Sequence, residues 1–175
     1  MIRTLWLLAA VIPIASATAM AQSAFNEQEY IARLKQAAPL SIVDNATIAR
    51  MDGDTMKIVR NGTNDWTCMD AEGDWMCADP GGMDWMHAWM SHGPAPIRNG
   101  FMYMLSGDAG ASNTDPYATE KKPDNHWVQT GPHVMITGPA AKEMRGYVRE
   151  ADPDVTKPYV MWLGTPYEHL MVPIR

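Results

Sequence analysis

The only two cysteines of this 175-residue chain, Cys68 and Cys77, flank a short turn signal, Ala71-Glu72-Gly73. Strand-like runs lie on either side, Trp66-Thr67-Cys68-Met69 and Asp74-Trp75-Met76-Cys77. A turn centred between Glu72 and Gly73 places Cys68 directly opposite Cys77, and opposed strand residues bring their Cβ atoms within disulfide reach. The rival reading, two thiolate ligands for a metal, lacks CxxC spacing. The spacing therefore predicts a hairpin closed by a Cys68–Cys77 disulfide, which implies an oxidising compartment.

The N-terminal residues point the same way. Arg3 supplies a positive start, residues 5–15 form an apolar run, and Ala19-Met20-Ala21 offers a cleavage site before Gln22. An alternative cut follows Ala17-Thr18-Ala19. The run is shorter than the roughly 20 residues a bilayer needs. Residues 1–21 are thus expected to be a signal peptide, leaving residues 22–175 as one exported domain, periplasmic or secreted, with no membrane span. Removing Arg3 takes the formal net charge from −6 to −7. Such an acidic surface repels phosphate backbones, so nucleic acid is an improbable partner.

Thirteen glycines and thirteen prolines are scattered rather than clustered, a pattern of many tight turns without an interdomain linker. Residues 26–37 read as a helix. Asn26 can cap it, Glu27 and Glu29 sit in the first turn, Arg33 and Lys35 lie near the end, and Tyr30, Ile31 and Leu34 make its apolar stripe. Strand signals follow at 46–50 and 55–60 around Asp52-Gly53, then in the cysteine hairpin. Gly81-Gly82 opens a second helix, with Trp85, Met86 and Trp89 facing the core and Met90 beside them. Residues 100–105 read as a buried strand, 106–124 as a long polar loop, and 140–145 as a short helix before the last strands, 159–163 and 168–174. The fold class is α+β: a mostly antiparallel sheet with two or three short helices.

Two late segments repeat one pattern. Thr130-Gly131-Pro132-His133-Val134-Met135-Ile136 and Thr165-Pro166-Tyr167-Glu168-His169-Leu170-Met171-Val172 are both turn-to-strand entries. Alternate strand residues share a face, so His133 goes with Met135 and His169 with Met171. Side by side in register, the two strands would bring two imidazoles and two thioethers together. Thirteen methionines remain once Met1 and Met20 are removed. Thioethers select Cu(I), imidazole takes Cu(I) or Cu(II), and a nearby indole can shield or contact the cation. His133, Met135, His169 and Met171 are therefore candidate ligands for a soft metal ion such as copper.

Several phrases, Gly62-Thr63-Asn64-Asp65-Trp66-Thr67-Cys68-Met69, Ser112-Asn113-Thr114-Asp115-Pro116, Gly131-Pro132-His133-Val134-Met135-Ile136 and Met161-Trp162-Leu163-Gly164-Thr165-Pro166-Tyr167, together resemble a family of exported bacterial proteins of unassigned function. The resemblance implies export and no particular activity.

Other readings compete with the metal. Methionine fills irregular cores and pairs its sulfur with aromatics, which suits Met69, Met76, Met86, Met90, Met102, Met104 and Met161, each close to an aromatic residue in sequence. A face lined by Trp, Met and Tyr could instead take up a small apolar ligand or a protein partner. A hydrolase would use His133 or His169 as base, Asp115 as its orienter and Ser112 or Thr114 as nucleophile, though no G-x-S-x-G or H-E-x-x-H accompanies them. The acidic run Asp70, Glu72, Asp74, Asp79 and Asp84 lacks the spacing of a calcium loop and reads as a solvated hairpin surface.

Overall fold

The computed structural model describes residues 25–53 and 55–174. The expected signal peptide, residues 1–21, lies outside the described residues. Four helices and ten strands follow in the order α1 (Glu27–Leu34), α2 (Leu40–Val43), β1 (Thr47–Asp52), β2 (Thr55–Arg60), β3 (Thr67–Ala71), β4 (Asp74–Ala78), α3 (Pro80–Met90), β5 (Gly100–Met104), β6 (Ala111–Ser112), β7 (Trp127–Val128), β8 (His133–Thr137), α4 (Pro139–Glu143), β9 (Tyr159–Met161) and β10 (His169–Pro173). Eight strands make one sheet in the order β2-β1-β3-β4-β5-β8-β10-β9, and β6 pairs with β7 in a separate ribbon. Only β1 with β3 runs parallel within the main sheet; its other pairs are antiparallel.

Local chemistry accounts for the helix starts. Asn26 caps α1 by accepting from the Glu29 N–H at 3.2 Å. Asp79 caps α3 in the same way at Gly82 and also accepts from the Phe101 N–H, so one carboxylate ties α3 to β5. That contact is close because glycine allows it: a Cβ on Gly81 would lie 1.9 Å from the Asn99 carbonyl oxygen. The four-residue helix α2 is an addition to the expected set. Along α3, Trp85 and Met86 are buried and Trp89 packs against the core, whereas Met90, expected beside them, is 45% exposed.

The sheet has two unlike faces. Helices α1, α2 and α4 cover one, over Leu34, Val43, Ile48, Cys68, Cys77, Val160 and Leu170. Helix α3 covers the other, together with Trp162 and Tyr167. All eight buried methionines, Met69, Met76, Met86, Met102, Met104, Met135, Met161 and Met171, belong to this second layer.

Cys68 faces Cys77 across β3 and β4, and the two are disulfide-bonded with Cα atoms 4.0 Å apart. The turn between them has Glu72 at φ 57° and Gly73 at φ 103°, the two left-handed residues of a type I′ hairpin. Closing so short a loop restricts the unfolded chain by roughly 2.5–3 kcal/mol. The Cys68→Ala/Cys77→Ala variant is expected to keep its far-ultraviolet circular dichroism and to lose about that much unfolding free energy in urea. An unchanged urea midpoint would refute the stabilising role.

Candidate functional site

The two repeated segments become neighbours because β10 enters the sheet between β8 and β9. Its register with β8 sets Met171 opposite Met135, and Pro173 opposite His133. On its other side His169 faces Met161 and Met171 faces Tyr159. Strand β5 adds Met102 opposite Met135 and Met104 opposite His133. Three thioethers, Met102, Met135 and Met171, thus lie in one row across three adjacent strands. Directly opposed pairs hold their Cβ atoms about 4.5–5.5 Å apart.

All four predicted ligands share this face and all are buried. The thioethers of Met135 and Met171 come together as the alternation implies. The imidazoles bracket them instead of meeting. His169 stands four residues before Pro173, the partner of His133, an offset of roughly 13 Å along the strands at the backbone.

Both imidazoles are held in the same way. Nδ1 of His133 lies 2.8 Å from the Gly131 carbonyl oxygen, and Nδ1 of His169 lies 3.0 Å from that of Tyr167. A carbonyl can only accept, so each Nδ1 carries the proton and each Nε2 keeps its lone pair. Nε2 of His133 is buried without a hydrogen-bond partner. Burial pushes the pKa of His133 below the usual value, outweighing the Gly131 carbonyl and the Asp74 carboxylate. Burial brings His169 down to about 4, the Tyr167 carbonyl opposing and the His133 charge reinforcing the shift. Both rings are neutral at pH 7.

Aromatic rings close in on His169. The indoles of Trp85 and Trp162 stack at 5.6 Å and 10°, and each meets the imidazole edge-on, at 4.9 and 5.0 Å between centroids. Nε1 of Trp85 donates to the same Tyr167 carbonyl as His169, at 3.2 Å. Trp162 has φ 57°, a left-handed conformation that is unusual for a bulky side chain. Strict alternation after Met161 would send its indole to the opposite face. The left-handed turn brings it back over the methionines, where the Ser112 carbonyl accepts from its Nε1 at 2.8 Å. Met161, Trp85 and Trp162 were not singled out as site residues by alternation, since none of them belongs to a His-x-Met segment.

The hydrolase set is not assembled. Ser112 is buried, and its Oγ accepts from the Asp115 and Thr114 N–H groups. The Asp115 carboxylate is exposed and accepts from the Tyr117 N–H, while both imidazoles spend Nδ1 on backbone carbonyls. The acidic run is likewise used locally. Asp70 accepts from the Gly73 N–H, Asp74 from that of Ala109, Asp79 caps α3, and Asp84 pairs with Arg98 at 3.4 Å. Among the described residues no group of three or more His, Cys, Asp or Glu gathers to hold a metal ion.

The depressed imidazole pKa values carry a stability signature. Between the folded value of about 4 for His169 and its unfolded value of 6.5, the unfolded chain binds the extra proton. Stability is therefore complete above about pH 6.5 and is lost as pH falls toward 4. From His169 alone, lowering the pH from 7 to 5 should cost roughly 2 kcal/mol of unfolding free energy, with His133 adding in the same direction. Urea titrations at both pH values, in the wild type and in His169→Gln, check this. The variant should show the smaller loss, and equal losses would show that His169 is not the buried neutral group.

Comparisons with protein-family models, with curated proteins and with solved structures gave no match, so the likeness to exported bacterial proteins rests on the quoted phrases alone.

Proposed function

We propose that this is an exported protein that binds a soft metal ion, Cu(I), on the methionine-lined face of its sheet, with donors drawn from His133, Met135, His169 and Met171. The observation that carries the reading is the adjacency of Met135 and Met171 between two neutral imidazoles whose tautomers are set by backbone carbonyls. Metal-binding histidines are commonly oriented through such a bond from the second ring nitrogen. Thioethers and neutral imidazoles need no deprotonation to bind, so the donors are ready at neutral and mildly acidic pH.

The distribution of methionine supports the same reading. Were it present only as adaptable filler, it should serve both layers of the core. Instead, among the described residues, every buried methionine lies on the α3 side and that cluster holds no buried leucine or isoleucine, while the opposite clusters use Leu34, Val43, Ile48 and Leu170. Export through a signal peptide and a disulfide-compatible compartment belong to this proposal as its expected setting.

Anaerobic titration with Cu(I) against a competing chelator is expected to show about one tight equivalent. Leucine nearly conserves the volume of methionine, so Met135→Leu/Met171→Leu should stay folded and lose that binding. Failure of the wild type to compete for Cu(I), or undiminished affinity in the double variant, would overturn the proposal.

A further inference from the structure

We infer that the ion sits at the His169 end of the methionine face, in a monovalent-only site made by His169, Met161 and Met171 and roofed by the stacked indoles of Trp85 and Trp162. This rests on the soft-metal reading above and gives it a location, a further thioether, a further kind of donor in the indoles, and a charge preference.

Met161 is the directly opposed partner of His169, and Met171 is the next residue on the same face of β10. His169 therefore has one methionine directly across from it and a second two residues along the same face of its own strand. Both indole centroids lie about 5 Å from that of the imidazole, and a cation within about 6 Å of an indole centroid is attracted by the ring. The backbone supports this placement at a cost. A non-glycine residue held left-handed is strained. At Trp162 that conformation brings the indole onto the face of Met161 and His169. Four contacts hold it there: the Trp162 N–H donates to the Asn113 carbonyl, its Nε1 donates to Ser112, and its own carbonyl accepts from the N–H and Oγ1 of Thr165.

The charge preference follows from the donors. With its Nδ1 donating to the Tyr167 carbonyl, the His169 imidazole offers an uncharged Nε2 as donor, and the thioethers and indoles carry no charge. The nearest buried carboxylate in sequence, Glu168, is occupied by Arg149 at 2.8 Å and by the Gly164 N–H at 2.9 Å. The donors themselves bring no charge to compensate an ion. The desolvation cost grows with the square of the charge, about fourfold from +1 to +2. Cu(I) and Ag(I) fit these terms, whereas Zn(II) and Cu(II) lack the anionic or multiple nitrogen donors they favour.

Silver(I) nitrate, a redox-silent and fluorescence-compatible probe, tests the placement in the intact protein. Tryptophan emission should fall in step with binding of the first equivalent of Ag(I), and Zn(II) should leave it unchanged. Met161→Leu and His169→Gln should each weaken Ag(I) binding by about tenfold or more, while Met56→Leu, at an exposed methionine on β2, leaves it as in the wild type. If His169→Gln does not fold, Met161→Leu decides. Wild-type protein that fails to bind either Cu(I) or Ag(I) overturns both this inference and the preceding proposal. Binding that requires Met135 and Met171 but ignores Met161, or that leaves the emission untouched, overturns the location and keeps the metal. Tight Zn(II) binding at the same residues overturns the charge preference.

Discussion

The site geometry depends on the insertion of β10 between β8 and β9. A strand paired on both sides has little freedom to slip, because a shift of one residue would exchange its two faces. Here the exchange would bring Leu170 and Val172 to the methionine layer and send His169 and Met171 to the α4 side. The insertion also requires the chain to return sharply after β9. Glu168 stabilises that return: its carboxylate receives Arg149 and the Gly164 N–H while almost wholly buried. A buried ion pair need not add net stability, but loss of one partner leaves the other uncompensated, so this contact specifies the turn more than it strengthens the fold.

The same return explains why two separated sequence phrases belong together. Ser112-Asn113 lies at the end of the β6–β7 ribbon, and its two carbonyls receive the side-chain and main-chain N–H groups of Trp162. Asn113 reaches onward, its amide donating to the carbonyls of Glu150 and Ala151. A polar segment buried in this way is costly where a group goes unpaired, as the Asn113 Oδ1 does. Its other hydrogen bonds fasten a left-handed aromatic residue over the sheet. The loop after β5, long and polar in sequence, thus works as a clamp on the roof of the candidate site.

How much of this could be read from the residues alone follows from how local each determinant is. The cysteine hairpin was legible because turn and opposed pair lie within ten residues, and α1 because its cap, charges and stripe are contiguous. The shared face of His133 with Met135, and of His169 with Met171, follows from a period of two. The order of strands does not. Neither His-x-Met segment records that the other will lie beside it antiparallel, nor that the imidazoles will end at opposite ends of the pair. The parallel contact of β1 with β3 is equally non-local. Trp162 was hidden for another reason: alternation assumes extended backbone, and the left-handed residue breaks that assumption at the position where the indole joins the face. Met90 was misplaced because it is the last residue of α3, and helical periodicity alone does not show where the packed face ends.

The contrast between the two layers bears on whether methionine is here for packing or for chemistry. Leucine and isoleucine have fewer side-chain torsions than methionine and define a core more sharply, so a layer built only for stability gains by using them. The α1 side does so. On the α3 side eight flexible thioethers pack beneath tryptophans, and the one fully buried ring nitrogen without a partner, Nε2 of His133, is placed among them. A fold that accepts that loss of definition on one layer only, and holds two imidazoles neutral there, keeps soft donors together where water is excluded. Packing alone explains the burial of these side chains; it does not explain their segregation.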